Sequence, residues 1–101
     1  SQAIDAQGNV IVPKGRYEWL TICYNLGERL PLFTGIYQTG QGNYRTDVLN
    51  LEGNIILSGL KNLYQTDGEY FAVEKGFSAG ILDREGNWLY QTSTFQTFGD
   101  D

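Results

Sequence analysis

One phrase occurs three times in this chain of 101 residues: Ile4-Asp5-Ala6-Gln7-Gly8-Asn9-Val10-Ile11, Leu49-Asn50-Leu51-Glu52-Gly53-Asn54-Ile55-Ile56 and Leu82-Asp83-Arg84-Glu85-Gly86-Asn87-Trp88-Leu89. Each copy runs from an apolar residue through Asx, two variable positions and Gly-Asn to two further apolar residues. This is the chemistry of a tight reversal. An Asx side chain accepts hydrogen bonds from backbone N–H groups just downstream, and a glycine three residues later supplies a left-handed conformation after a type I turn. Apolar flanks continue the turn into strands, so the phrase predicts a β-hairpin tip with a glycine bulge. Asp5, Gly8, Asn50, Gly53, Asp83 and Gly86 are thereby assigned as structural turn residues.

The phrase recurs at intervals of 45 and then 33 residues (Gly8, Gly53, Gly86). Periods of this size belong to solenoids, propeller blades and β-arrays. The shorter interval contains a turn at Asp67-Gly68, a strand over 70–74, a turn at Lys75-Gly76 and a strand over 79–83. The longer one repeats that tail, with strands near 32–37 and 44–50 around the Gly-rich turn at 39–43. Its extra length falls mainly in 19–29, with a few residues in the Gly-rich turn. No segment sustains helical periodicity, and 17–24 is the one place where a helical turn fits. The expected fold is all-β. Antiparallel hairpins from two divergent repeats, approximately 4–50 and 51–92, form a small sandwich or partly open barrel within one domain, 1–101. A strand-rich solenoid segment is the alternative. A chain of this length buries roughly two-thirds of its unfolded surface, enough for one modest core. The absence of Met predicts a piece of a longer polypeptide.

Composition narrows the chemistry. The chain has 7 Lys and Arg against 12 Asp and Glu, a formal net charge of -5, and its basic residues stand singly. Nucleic-acid affinity rests on clustered cations that displace phosphate counterions, so no nucleic-acid partner is expected. No apolar run approaches the roughly 20 residues of a spanning helix, and no membrane insertion is expected. His is absent and Cys23 is the single cysteine. The usual zinc and haem sites and His-dependent nucleophiles are excluded, so no metal and no cofactor are expected. Cys23, inside an apolar stretch, is expected as a buried small hydrophobe. Glu18, Glu28, Asp47 and Glu69 are acids from which a two-carboxylate hydrolase could draw, but no pair stands in a recognisable context. The Gly40-Gln41-Gly42-Asn43 run leads into a strand, and is expected as a hairpin tip rather than a phosphate cradle.

The stretch Gly80-Ile81-Leu82-Asp83-Arg84-Glu85-Gly86-Asn87-Trp88-Leu89, preceded by small and apolar residues after Lys75-Gly76, resembles the tryptophan–glycine (WG) β-repeat proteins of bacteria. Residues 4–12 followed by Pro13 resemble the junction between two such repeats. Ala79 stands where the family's tryptophan belongs, and Val48 stands at the glycine position of the other unit. The resemblance implies a non-enzymatic, strand-rich module attached to other domains, in a bacterial envelope or secreted protein.

The aromatic residues are the remaining functional signal. Tyr and Trp join large apolar area to a polar tip and favour interfaces. Trp19, Tyr24, Tyr37 and Tyr44 are the candidate binding residues. Trp88 is expected in the core, because Val10 and Ile55 hold its position in the other copies. Sheet edges leave unpaired backbone groups, so self-association through edges is a further expectation. The functional expectation is a non-catalytic module that contacts a protein partner or neighbouring repeats. A carbohydrate-binding module with an aromatic platform is the first rival, and the two-carboxylate hydrolase is the second.

Overall fold

The computed structural model describes residues 2–94, and within them every regular element is a strand. These are β1 (Ala3–Ile4), β2 (Val10–Val12), β3 (Trp19–Asn25), β4 (Glu28–Gly40), β5 (Asn43–Asn50), β6 (Ile55–Leu60), β7 (Asn62–Thr66), β8 (Tyr70–Lys75), β9 (Ser78–Asp83) and β10 (Trp88–Ser93). All pairings are antiparallel and join neighbours in the chain. The result is a β1–β2 hairpin followed by two four-stranded meanders, β3–β6 and β7–β10. Neither meander closes on itself, so no barrel forms. The architecture is a stack of antiparallel sheets.

Alternation of side chains along each strand builds the stack. Consecutive residues of a strand point to opposite faces, and in β5 both Val48 and Leu49 are fully buried. Val48 joins Cys23, Leu32, Leu57 and Leu60 of the first meander against Phe71, Val73 and Leu82 of the second. Leu49 points the other way and packs with Val12 and Tyr17 beneath the β1–β2 hairpin. The first meander is therefore covered on both faces, by two strands on one side and by four on the other.

The three phrases occupy equivalent places. Each turn closes with two backbone hydrogen bonds: Asp5 N–H to Asn9 C=O, Asn50 to Asn54 and Asp83 to Asn87 at 2.9–3.0 Å, and Gly8, Gly53 and Gly86 N–H back to the Asx C=O at 3.0–3.1 Å. The Asx Oδ1 also accepts from the N–H groups two and four residues on, at 2.8–3.1 Å in all three turns. Gly8, Gly53 and Gly86 carry φ of 87°, 88° and 83°. The turns join β1 to β2, β5 to β6 and β9 to β10, so the phrase marks the last hairpin of each sheet. Hydrogen bonding continues through a hairpin turn, and the meanders consequently divide at Lys61, between β6 and β7, instead of at residue 50.

One further feature differs from the expectation drawn from sequence. Residues 19–25 form strand β3, paired along β4 from Trp19↔Ile36 to Asn25↔Glu28, because the partner strand satisfies backbone groups that a helical turn would have bonded locally. The additional length of the first unit falls in the β3–β4 hairpin and, by a few residues, in the β4–β5 hairpin that carries the Gly-rich turn.

The turns differ in what surrounds their glycines, which gives a graded expectation. A Cβ at Gly86 meets only Leu57 Cδ2 at 3.9 Å, whereas a Cβ at Gly53 meets the Ile11 carbonyl oxygen at 2.5 Å. Gly86→Val should cost roughly 1–3 kcal/mol through backbone strain at positive φ. Gly53→Val should cost more, because it also lifts the β1–β2 hairpin from the sheet. Parallel urea titrations of the two variants will show the order, and equal midpoints would contradict it.

Acid should act on two of the three turns. Backbone N–H donation from Asn9 and Asn87 is the largest influence on Asp5 and Asp83, and their carboxyls sit below the ordinary value of 3.8. A depressed folded pKa means that the carboxylate's support is present above the unfolded value and is lost as pH falls through the folded one. Below about pH 4 the β1–β2 and β9–β10 turns should loosen, while the Asn50 turn, which has no proton to gain, should not. Amide shifts of Gln7, Asn9, Glu85 and Asn87 against those of Glu52 and Asn54 will report the contrast.

Candidate functional site

The four aromatic candidates fall in three places. Trp19 opens β3 and Tyr44 lies on β5, and both rings rise on the same face of the intervening β4, at Ile36 and Gln38. Their centroids are 5.7 Å apart with planes at 51°, and both rings are substantially exposed. Tyr37 points to the opposite face and is half-buried, 6.1 Å from Tyr17. Tyr24 stands at the far end of β3 and is exposed beside a shallow cleft of about 150 Å³ with Cys23, Thr34 and Tyr64. The structure thus brings Trp19 and Tyr44 together and separates Tyr37 and Tyr24 from them.

Beneath Tyr37 lies a buried polar cluster. The Tyr17 hydroxyl donates to Asp47 Oδ2 at 2.7 Å, and Gly59 N–H donates to Asp47 Oδ1 at 2.9 Å. Burial, with the Asp47 carboxylate second, pushes the Tyr17 hydroxyl above the tyrosine range, and the same two causes raise Tyr37. Tyr17 lies flat over Gly35, where an added Cβ would fall 2.6 Å from the ring. Asp47 thereby ties the segment before β3 to β5 and to the β6 bulge at Gly59. Both carboxylate oxygens are engaged as acceptors, so the cluster is a tether. The other acids named from sequence, Glu18, Glu28 and Glu69, are exposed.

Cys23 is buried, and burial raises its thiol pKa. Among the described residues, no group of three or more His, Cys, Asp or Glu could hold a metal ion.

A concavity of about 460 Å³ escaped the sequence reading. It is lined by Ile11 of the hairpin, by Ile22, Leu30, Pro31, Phe33 and Leu51, and by Arg29. It opens where the two-stranded hairpin stops short of covering the four-stranded sheet. Its volume falls within the range of small-ligand pockets. Chemically it is an apolar seat with one cation, suited to apolar side chains and lacking convergent polar groups that would orient a reacting substrate. These residues come from four separate stretches of the sequence, so nothing local marks the concavity.

Neither a curated protein nor a solved structure matches the chain. A family profile, described as Domain of unknown function (DUF5046), matches residues 16–101, which include both four-stranded meanders and leave the β1–β2 hairpin outside. The chain belongs to this family, DUF5046.

Proposed function

We propose that this domain is a non-catalytic β-repeat module of the WG type that binds protein through the faces of its stacked sheets. One observation carries the reading. Large apolar side chains stand in solvent on both outer faces of the stack, Ile4 and Val10 on the hairpin and Tyr70, Ile81, Leu89 and Tyr90 on the second meander. Contiguous exposed apolar surface marks interaction sites in soluble proteins. The engagement of both Asp47 oxygens as structural acceptors supports the non-catalytic reading. A place in a bacterial envelope or secreted protein is part of the same proposal, and rests on the repeat resemblance.

A photo-crosslinking phenylalanine at position 90 tests the reading. Polypeptide adducts identified by mass spectrometry are expected, and their absence together with saturable sugar binding would overturn it. Glycan binding is the second reading, favoured by the exposed Trp19–Tyr44 pair. The 51° tilt between those rings gives a sugar one ring face rather than a continuous platform. If that reading holds, tryptophan fluorescence will respond to a glycan panel and Trp19→Ala will abolish the response.

A further inference from the structure

The three copies of the repeated hairpin allow the same positions to be compared in three surroundings. Each hairpin presents one set of residues to the preceding layer and another to the following layer. The first residue of the phrase belongs to the preceding-facing set. Leu49 is 0% exposed under the β1–β2 hairpin, and Leu82 is 1% exposed under the first meander. Ile4, which holds that position in the first described layer, is 55% exposed. The later apolar position follows the rule at the two ends, where Trp88 packs against the core between the meanders and Val10 is exposed, but not in the middle copy, where Ile55 is 44% exposed.

The following-facing set behaves likewise. Ala3, Ile11 and Val12 pack on the first meander, and Val48, Ile56 and Leu57 pack on the second. Their counterparts Ile81, Leu89 and Tyr90 are 38%, 56% and 61% exposed. At the first position of the phrase and throughout the following-facing set, burial tracks the presence of a neighbouring layer, since the turn geometry is the same in all three copies. Apolar faces of stacked repeats associate unless a further layer covers them, and neither outer face of the described stack is polar at these positions.

We infer that a second copy of this chain docks head to tail, with Ile81, Leu89 and Tyr90 of one copy seated against the Ile4 and Val10 face of the next. The contact is the third in a series whose first two members already exist inside the molecule, hairpin on first meander and first meander on second. The two surfaces that meet are different, so the association is heterologous and propagates instead of closing as a two-fold dimer. This inference rests on the protein-binding reading above and names the partner. It places self-association on faces, whereas sequence alone pointed to sheet edges.

Sedimentation velocity from about 1 µM to about 1 mM gives the direct test. The weight-average mass of the unaltered chain should rise with concentration and pass that of a dimer. Ile81→Lys/Tyr90→Lys and Ile4→Lys/Val10→Lys should each remain monomeric, because each lacks one of the two complementary faces. Mixed in equal amounts, the two variants should form a discrete heterodimer, since one intact junction is available and neither product can extend. A dimer formed by the Ile4→Lys/Val10→Lys variant alone would show a two-fold contact of the second meander and overturn the inference. A monomer throughout the range would also overturn it, and polypeptide crosslinks from position 90 would then leave the broader reading standing. Should a variant not fold, amide exchange on the unaltered chain decides the matter: protection at 81, 89 and 90 that grows with concentration supports the docking, and unchanged protection refutes it.

Discussion

Phe71→Ala should destabilise the domain by about 3–5 kcal/mol, the range for removing a fully enclosed aromatic from a core. That is a large part of the roughly 5–15 kcal/mol available to a domain of this size. Phe71 is completely buried and meets residues of both meanders in the principal core. Its loss should weaken the two sheets together, and one shared urea transition at a lower midpoint is expected. The molecule supplies its own control. Phe33 pairs with Leu49 on β5 as Phe71 pairs with Leu82 on β9. It is only half-buried, because a two-stranded hairpin covers its face and the 460 Å³ groove opens beside it. Phe33→Ala should therefore cost less, about 1–3 kcal/mol. Equal losses at the two positions would refute the unequal cover on which this account depends.

The Asp47 tether gives the second large effect. Asp47→Ala removes the acceptor for the Tyr17 hydroxyl and for Gly59 N–H, leaving two donors in a buried setting. An unsatisfied buried polar group costs about 1–3 kcal/mol, and a total of about 2–4 kcal/mol is expected. Tyr17→Phe should cost less, since the carboxylate keeps the Gly59 bond. Adding Tyr17→Phe to Asp47→Ala should recover part of the loss, because the stranded hydroxyl disappears. A thermal or urea double-mutant cycle measures this coupling, and strictly additive costs would show that the 2.7 Å bond does not link the two residues energetically.

The repeat was legible because turn chemistry is local. Asp5, Asn50 and Asp83 bond backbone groups within four residues, and the glycines that follow each carry positive φ. Nothing distant is needed for such a turn, so its residues declare it. β3 was harder, since 17–24 carries no turn residue and its strand conformation is fixed by β4 across the sheet. The aromatic candidates were harder still. Trp19 and Tyr44 lie 25 positions apart and meet only through the register of β3, β4 and β5. Tyr37 differs from them by the parity of one strand position, which is enough to send it to the opposite face.

Hairpin tips, the all-β class and the absence of His-based chemistry were thus fixed by short-range preference and composition. Which apolar residues end up covered was settled by the order in which the sheets stack. Leu82 and Ile4 fill the same place in the same phrase, yet one is buried and the other faces water. An apolar side chain encodes a tendency to leave water, but the layer that removes it from water comes from distant chain. Fold class could therefore be read residue by residue, and the exposed faces that carry the proposed interactions emerged once the layers were assembled.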